Sequence, residues 1–133
     1  MKISYVRCCW LVLTVAAVVV VIGCHRASNP SSGVRVEFQI EPKPVRVGLV
    51  IVSLTLTDTA SHPETGAQIA VEADMSHPGM SPVFTQAKEI QPGRYESHVS
   101  LGMAGDWVIL LHGTLPQGEK LERQFDVRDV RPN

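Results

Sequence analysis

The sequence predicts an all-β fold, a seven-stranded antiparallel sandwich of two sheets placed behind an N-terminal export segment. Three observations carry that expectation. Apolar residues after Gly33 recur with period two, the spacing of a half-buried strand. Proline- or glycine-bearing turns interrupt them at intervals of roughly ten residues. No window has the 3.6-residue apolar stripe that an amphipathic helix needs. The length agrees, because 133 residues with 44% apolar positions suffice for one domain and are few for two.

The strands follow in order. Val34, Val36, Phe38 and Ile40 alternate with Arg35, Glu37 and Gln39 until Pro42 and Pro44 break the run. From Leu49 to Thr57, Val50, Val52, Leu54 and Leu56 share one face, with Ser53, Thr55 and Thr57 on the other. Ala67 to Asp74 turns Ile69, Val71 and Ala73 inward, and the segment MSHPGMSP cannot continue the ladder. Val83 to Ile90 precedes the turn Gln91-Pro92-Gly93-Arg94, where proline presets φ and glycine accepts a positive one. Tyr95, Ser97, Val99 and Leu101 alternate next, Asp106 to His112 is the most apolar strand, and Leu121 to Val127 closes the set. Tyr95 and Trp107 are expected as bulky plugs between the sheets.

The N-terminus carries Lys2 and Arg7, then an apolar run from Trp10 to Ile22 interrupted only by Thr14. A helix of that run is about 20 Å long at ~1.5 Å per residue, short of a hydrocarbon core of roughly 30 Å. Export signal fits better than membrane span. Val21-Ile22-Gly23-Cys24 resembles a bacterial lipobox, which implies transfer of diacylglyceryl to the Cys24 sulfur and cleavage before it. An uncleaved anchor from Cys8 to Cys24 stays open as the alternative. The expected organisation is a signal peptide or anchor at 1–23, a flexible tether at 24–33 with the polar stretch HRASNPSSG, a domain at 34–128 and a tail at 129–133. Cleavage would remove Cys8 and Cys9 and consume Cys24, leaving no thiol for a disulfide, a thiol enzyme or a cysteine-ligated zinc site. It would also remove Lys2 and Arg7, taking the net charge from −1 to −3. Nucleic acid is not an expected partner, because no broad cationic surface is available.

An ordered set of motifs adds a family. Leu54-Thr55-Leu56-Thr57-Asp58, Gly66-Ala67, Met75-Ser76-His77-Pro78-Gly79-Met80, Pro92-Gly93-Arg94-Tyr95 and Met103-Ala104-Gly105-Asp106-Trp107 together resemble the YtkA-like domain, over about Val34 to Val127. That family is related to the FixH group, whose members keep a spanning helix where this chain has its short run. The resemblance implies an immunoglobulin-like β-sandwich held in the cell envelope on the outer, periplasmic or extracytoplasmic side of a bacterial cytoplasmic membrane. It also implies copper handling, or assembly of a membrane metalloprotein complex such as an oxidase.

The residues give that implication a chemical basis. Thioether sulfur and imidazole nitrogen suit the soft copper(I) ion, and methionine does so without the disulfide risk of a thiolate. Met75-x-His77-x-x-Met80 supplies such donors. If the chain is extended from Met75 to His77, both side chains lie on one side about 6.6 Å apart, and Pro78-Gly79 turns Met80 back. Alternating strand directions put the loop after the first strand, the Met75–Pro82 loop and the Gly102–Gly105 turn at one end, so Met103 joins them. His62 and His112 belong to the opposite end, and His98 to an outward strand face. The candidate metal ligands are therefore Met75, His77, Met80 and Met103, with copper as cofactor and Cys24 as lipidation site. A plainer role stays open, in which Met75 and Met103 cap the core and His77 is an exposed loop residue. So does a metal-free interaction module on the cell envelope. No enzyme is expected: no nucleophile elbow or phosphate cradle occurs, and Glu72 and Asp74 share a solvated strand face.

Overall fold

The computed structural model describes residues 33–77 and 79–133. The expected signal peptide or anchor at 1–23, the lipidation candidate Cys24, the expected tether up to residue 32, and Pro78 lie outside the described residues. Seven strands follow: β1 (Arg35–Glu41), β2 (Gly48–Thr57), β3 (Gln68–Met75), β4 (Val83–Gln91), β5 (Arg94–Leu101), β6 (Gly105–Thr114) and β7 (Lys120–Val130). All named pairings are antiparallel, and no helix occurs among the described residues.

The hydrogen-bonded order is β1-β2-β5-β4-β3-β6-β7. Taken as layers, β1-β2-β5-β4 face β3-β6-β7, which is the strand arrangement of an immunoglobulin constant-type sandwich. β4 joins the layers. Val83, Thr85 and Ala87 pair with β3, whereas Lys88, Glu89 and Gln91 pair with β5 across a register shift. On the other side β1 and β7 meet through side chains: the rings of Phe38 and Phe125 stack at 4.4 Å and 9°, and an Arg123 guanidinium Nη2 donates to the Val34 carbonyl at 3.0 Å. The sandwich is thereby nearly a barrel.

The period-two pattern explains the core. Val50, Val52, Leu54 and Leu56 of β2, Ile69, Val71 and Ala73 of β3, and Trp107, Ile109 and Leu111 of β6 are all buried. Each such aliphatic contributes about 1.5–3 kcal/mol by leaving water. Tyr95 is buried as expected; its hydroxyl donates to the Glu64 carbonyl at 2.9 Å and accepts from the Ala67 N–H at 3.1 Å. Burial pushes the Tyr95 phenol up from its ordinary pKa. The buried Ser97 hydroxyl is satisfied by Thr85 Oγ1 at 2.5 Å.

The C-terminal boundary differs from the expected one. The apolar alternation ends at Val127, yet β7 continues to Val130, which is buried. Asp129 takes a left-handed φ of 56°, which breaks the alternation and lets Val130 turn inward. Arg131 then bonds to both sides of β2's approach, donating its N–H to the Val45 carbonyl and accepting from the Val47 N–H. Residues 129–131 thus belong to the domain, not to a tail.

Candidate functional site

Strand direction decides what meets at the tip. β3 runs into Met75 and β6 leaves from Gly105, with Met75 opposite Trp107. The connections 76–82 and 102–104 therefore emerge side by side. Gly48 lies opposite Leu101, and Arg46 bridges Arg131, so the β1–β2 connection and the C-terminal residues share that end. The three methionines of the described residues all stand there, together with His77.

Two hydrogen bonds fasten the loops that carry the candidate ligands to β6. The Ser76 N–H donates to the Asp106 carbonyl at 3.1 Å. The Trp107 indole N–H donates to the Met103 carbonyl at 3.0 Å. Gly105 has φ +129°, and a Cβ built on it would lie 3.0 Å from the Met75 methyl, so both conformation and space call for glycine. A shallow groove of about 220 Å³, lined by Ser76, Asp106, Trp107, Val108, Asp126 and Arg128, runs beside these contacts.

The four candidate ligands are placed unequally. Met80 is 37% exposed, Met103 is 50% exposed and His77 is exposed. Met75 is only 9% exposed and belongs to the apolar core. The extended Met75-to-His77 geometry that would put both on one side is absent. β3 ends at Met75 and the chain bends at Ser76 and His77. The reason is parity: Met75 continues the inward set Ile69, Val71 and Ala73, and Ser76 is captured by Asp106. A Cβ built on Gly79, at φ +106°, would meet nothing within 4 Å, so its conformation rather than space calls for glycine.

The other histidines lie elsewhere. His62 Nδ1 is 3.2 Å from Asp58 Oδ2 in the β2–β3 connection. Backbone N–H groups of His62 and Ala60 also donate to Asp58 and hold its carboxyl below the usual range. His112 Nε2 is 3.0 Å from Glu72 Oε2 on the outer face of β3 and β6. His98 lines a groove with Glu41, Pro42, Leu49 and Ile51. Among the described residues, no three His, Cys, Asp or Glu side chains gather as a metal-binding set.

The family model described as YtkA-like matches residues 28–112, well over half of the chain. The chain belongs to the YtkA-like family. The match takes in the 76–82 and 102–104 loops of this YtkA-like chain and confirms the family resemblance carried by its motifs. No curated protein matches it significantly. Among solved structures it is similar to the PmoD soluble domain from Methylocystis sp. (Rockwell), with a TM-score of 0.49 and 12% identity over 77% of this chain and 98% of that one.

One structural detail of this end is not apparent from the residue pattern. Trp107 reads as a core plug, and it is one, at 2% exposed. Its indole nitrogen nevertheless holds the turn that carries Met103. The available signal was that a buried tryptophan needs an acceptor, and the nearest turn lies four residues upstream.

Proposed function

We propose that this YtkA-like chain is a membrane-tethered, extracytoplasmic binding domain that takes copper(I) at its loop end and serves a membrane complex that uses the metal. It performs no catalysis of its own. One observation supports this reading above the rest: two adjoining loops expose the thioethers of Met80 and Met103, and the loop of Met80 also carries the exposed His77. Exposed methionines are unusual because the residue ordinarily fills cores, and thioether with imidazole is a soft-cation donor set. Met80, Met103 and His77 are the outer ligands. Met75, packed inside, backs the site and joins only if the tip rearranges.

The test is competition for copper(I) against a chromogenic chelator under reducing conditions, using chain in which Cys8, Cys9 and Cys24 are serine. Saturable one-to-one uptake is expected, weakened at least tenfold by Met80→Leu or His77→Ala. Affinity unchanged in both variants would refute the ligand assignment. Mass analysis of the unaltered chain from bacterial membranes tests the tether, with a diacylated Cys24 terminus expected and an intact Met1 as the contrary result.

A second reading, a metal-free interaction module, is favoured by Leu49, an apolar side chain 68% exposed on the outer face of β2. Absence of any copper(I) uptake leaves this second reading standing.

A further inference from the structure

β6 opens with Gly105-Asp106-Trp107; the first engages the end of β3, and the other two each engage one of the two loops. Gly105 leaves the room that the Met75 methyl occupies. The Asp106 carbonyl accepts the Ser76 N–H, at the root of the loop that carries His77 and Met80. The Asp106 carboxylate in turn accepts the Asp129 N–H at 3.0 Å, which ties the start of β6 to the irregular end of β7. Trp107 reaches the other loop, its indole N–H donating to the Met103 carbonyl.

The turn at 102–104 has little else to fix it. Nothing lies within 4 Å of a Cβ placed on Gly102, and Met103 is half exposed. The indole is different: Trp107 is buried and lies directly opposite Met75 in the β3–β6 ladder. A ring packed in the core therefore holds an exposed turn by a directed bond. A donor held in place loses less freedom when an ion arrives, and that difference appears in affinity.

We infer that Trp107 is a positioning residue for the metal site: its indole N–H holds the Met103 turn beside the end of β3, so that the two donor loops are presented together. The inference rests on the copper(I) reading above and adds to it a residue that touches no ion. Asp106 supports the same arrangement from β6 by accepting the Ser76 N–H at the root of the neighbouring loop.

The experiment uses the full chain in detergent micelles, with Cys8, Cys9 and Cys24 changed to serine, and copper(I) competed against a chromogenic chelator. Trp107→Phe keeps an aromatic ring in the core and removes the donor, and at least tenfold weaker copper(I) binding is expected. A merely structural tryptophan could also weaken binding, so the decisive comparison is made in a Met103→Leu background. There Trp107→Phe is expected to cost nothing further, because the turn it holds no longer carries a ligand. Equal losses in both backgrounds would overturn the inference. A second measurement needs no Trp107 variant: the Trp107 indole N–H resonance is expected to shift on copper(I) addition, and an unmoved resonance at saturation overturns it too. If the chain with Trp107 intact takes no copper(I), the copper(I) reading itself falls. If it binds and Trp107→Phe binds as well, only the role of Trp107 falls.

Discussion

Met75 and Met103 occupy the same corner of the molecule, and the backbone gives them opposite environments. Met75 is the last inward residue of β3, lodged against Gly105 and within the core. Met103 rides on a turn with its side chain in solvent. Truncating the first leaves a cavity, whereas altering the second changes little packing. Met75→Ala is accordingly expected to lower unfolding stability by about 2–4 kcal/mol, and Met75→Leu by less than about 1.5 kcal/mol. Met103→Leu should stay within roughly 0.5 kcal/mol. Denaturant unfolding with a constant m-value checks this, and a Met75→Ala loss no larger than that of Met103→Leu would contradict the core role. The difference was partly legible, since Ile69, Val71, Ala73 and Met75 form one period-two set. The two prolines of MSHPGMSP obscured it by suggesting that the loop began one residue sooner.

At the scale of an element, β4 is the strand on which the sandwich turns. It leaves β3 after Ala87 and pairs with β5 from Lys88 onward. Glu89 sits at this change of partner, accepting the Gly66 N–H at 2.9 Å and the Gly93 N–H at 3.0 Å through its two oxygens. Those bonds favour the charged carboxylate and hold its pKa below the usual glutamate value, the Gly66 N–H contributing most and the Gly93 N–H next. A carboxyl with a lowered folded-state pKa adds stability above its unfolded pKa and loses it as pH falls through the folded one. Replacing Glu89 with glutamine should therefore flatten the acid limb of the stability profile just below the ordinary glutamate pKa. Urea midpoints measured over that range for both chains decide it, and parallel limbs would show that the carboxylate is not a determinant. A period-two pattern locates such a strand at 83–90 well enough. It carries no information on which neighbour each half pairs with, because β4 has few large inward residues to distinguish the two sheets.

Across the whole molecule, closure depends on both flanks. One is continuous through β4, and the other is the seam where Phe38 meets Phe125 and Arg123 reaches Val34. Parallel rings at this distance couple beyond their buried area by roughly 0.5–1.5 kcal/mol. A double-mutant cycle with Phe38→Leu and Phe125→Leu should return a coupling of about 1 kcal/mol; strictly additive losses would mean that the seam closes without the pair. No cysteine lies between Cys24 and Asn133, so these side-chain contacts and the apolar core do the holding that disulfides supply in some other small domains.

The linear sequence by itself determined seven strands, their inward faces and the gathering of Met75, His77, Met80 and Met103 at one end, because side-chain alternation and strand reversal are local rules. Only the tertiary structure decided that Met75 turns into the core while Met80 and Met103 face water, that β4 serves both sheets, that β7 runs on to Val130, and that Trp107 secures the Met103 turn. Most of those depend on a partner distant along the chain, Gly105 for Met75 and Asp106 for Asp129 among them, and no window of neighbouring residues contains both halves of such a contact; the Trp107 bond spans only four residues, and what lies far away is Met75, opposite Trp107 in the β3–β6 ladder.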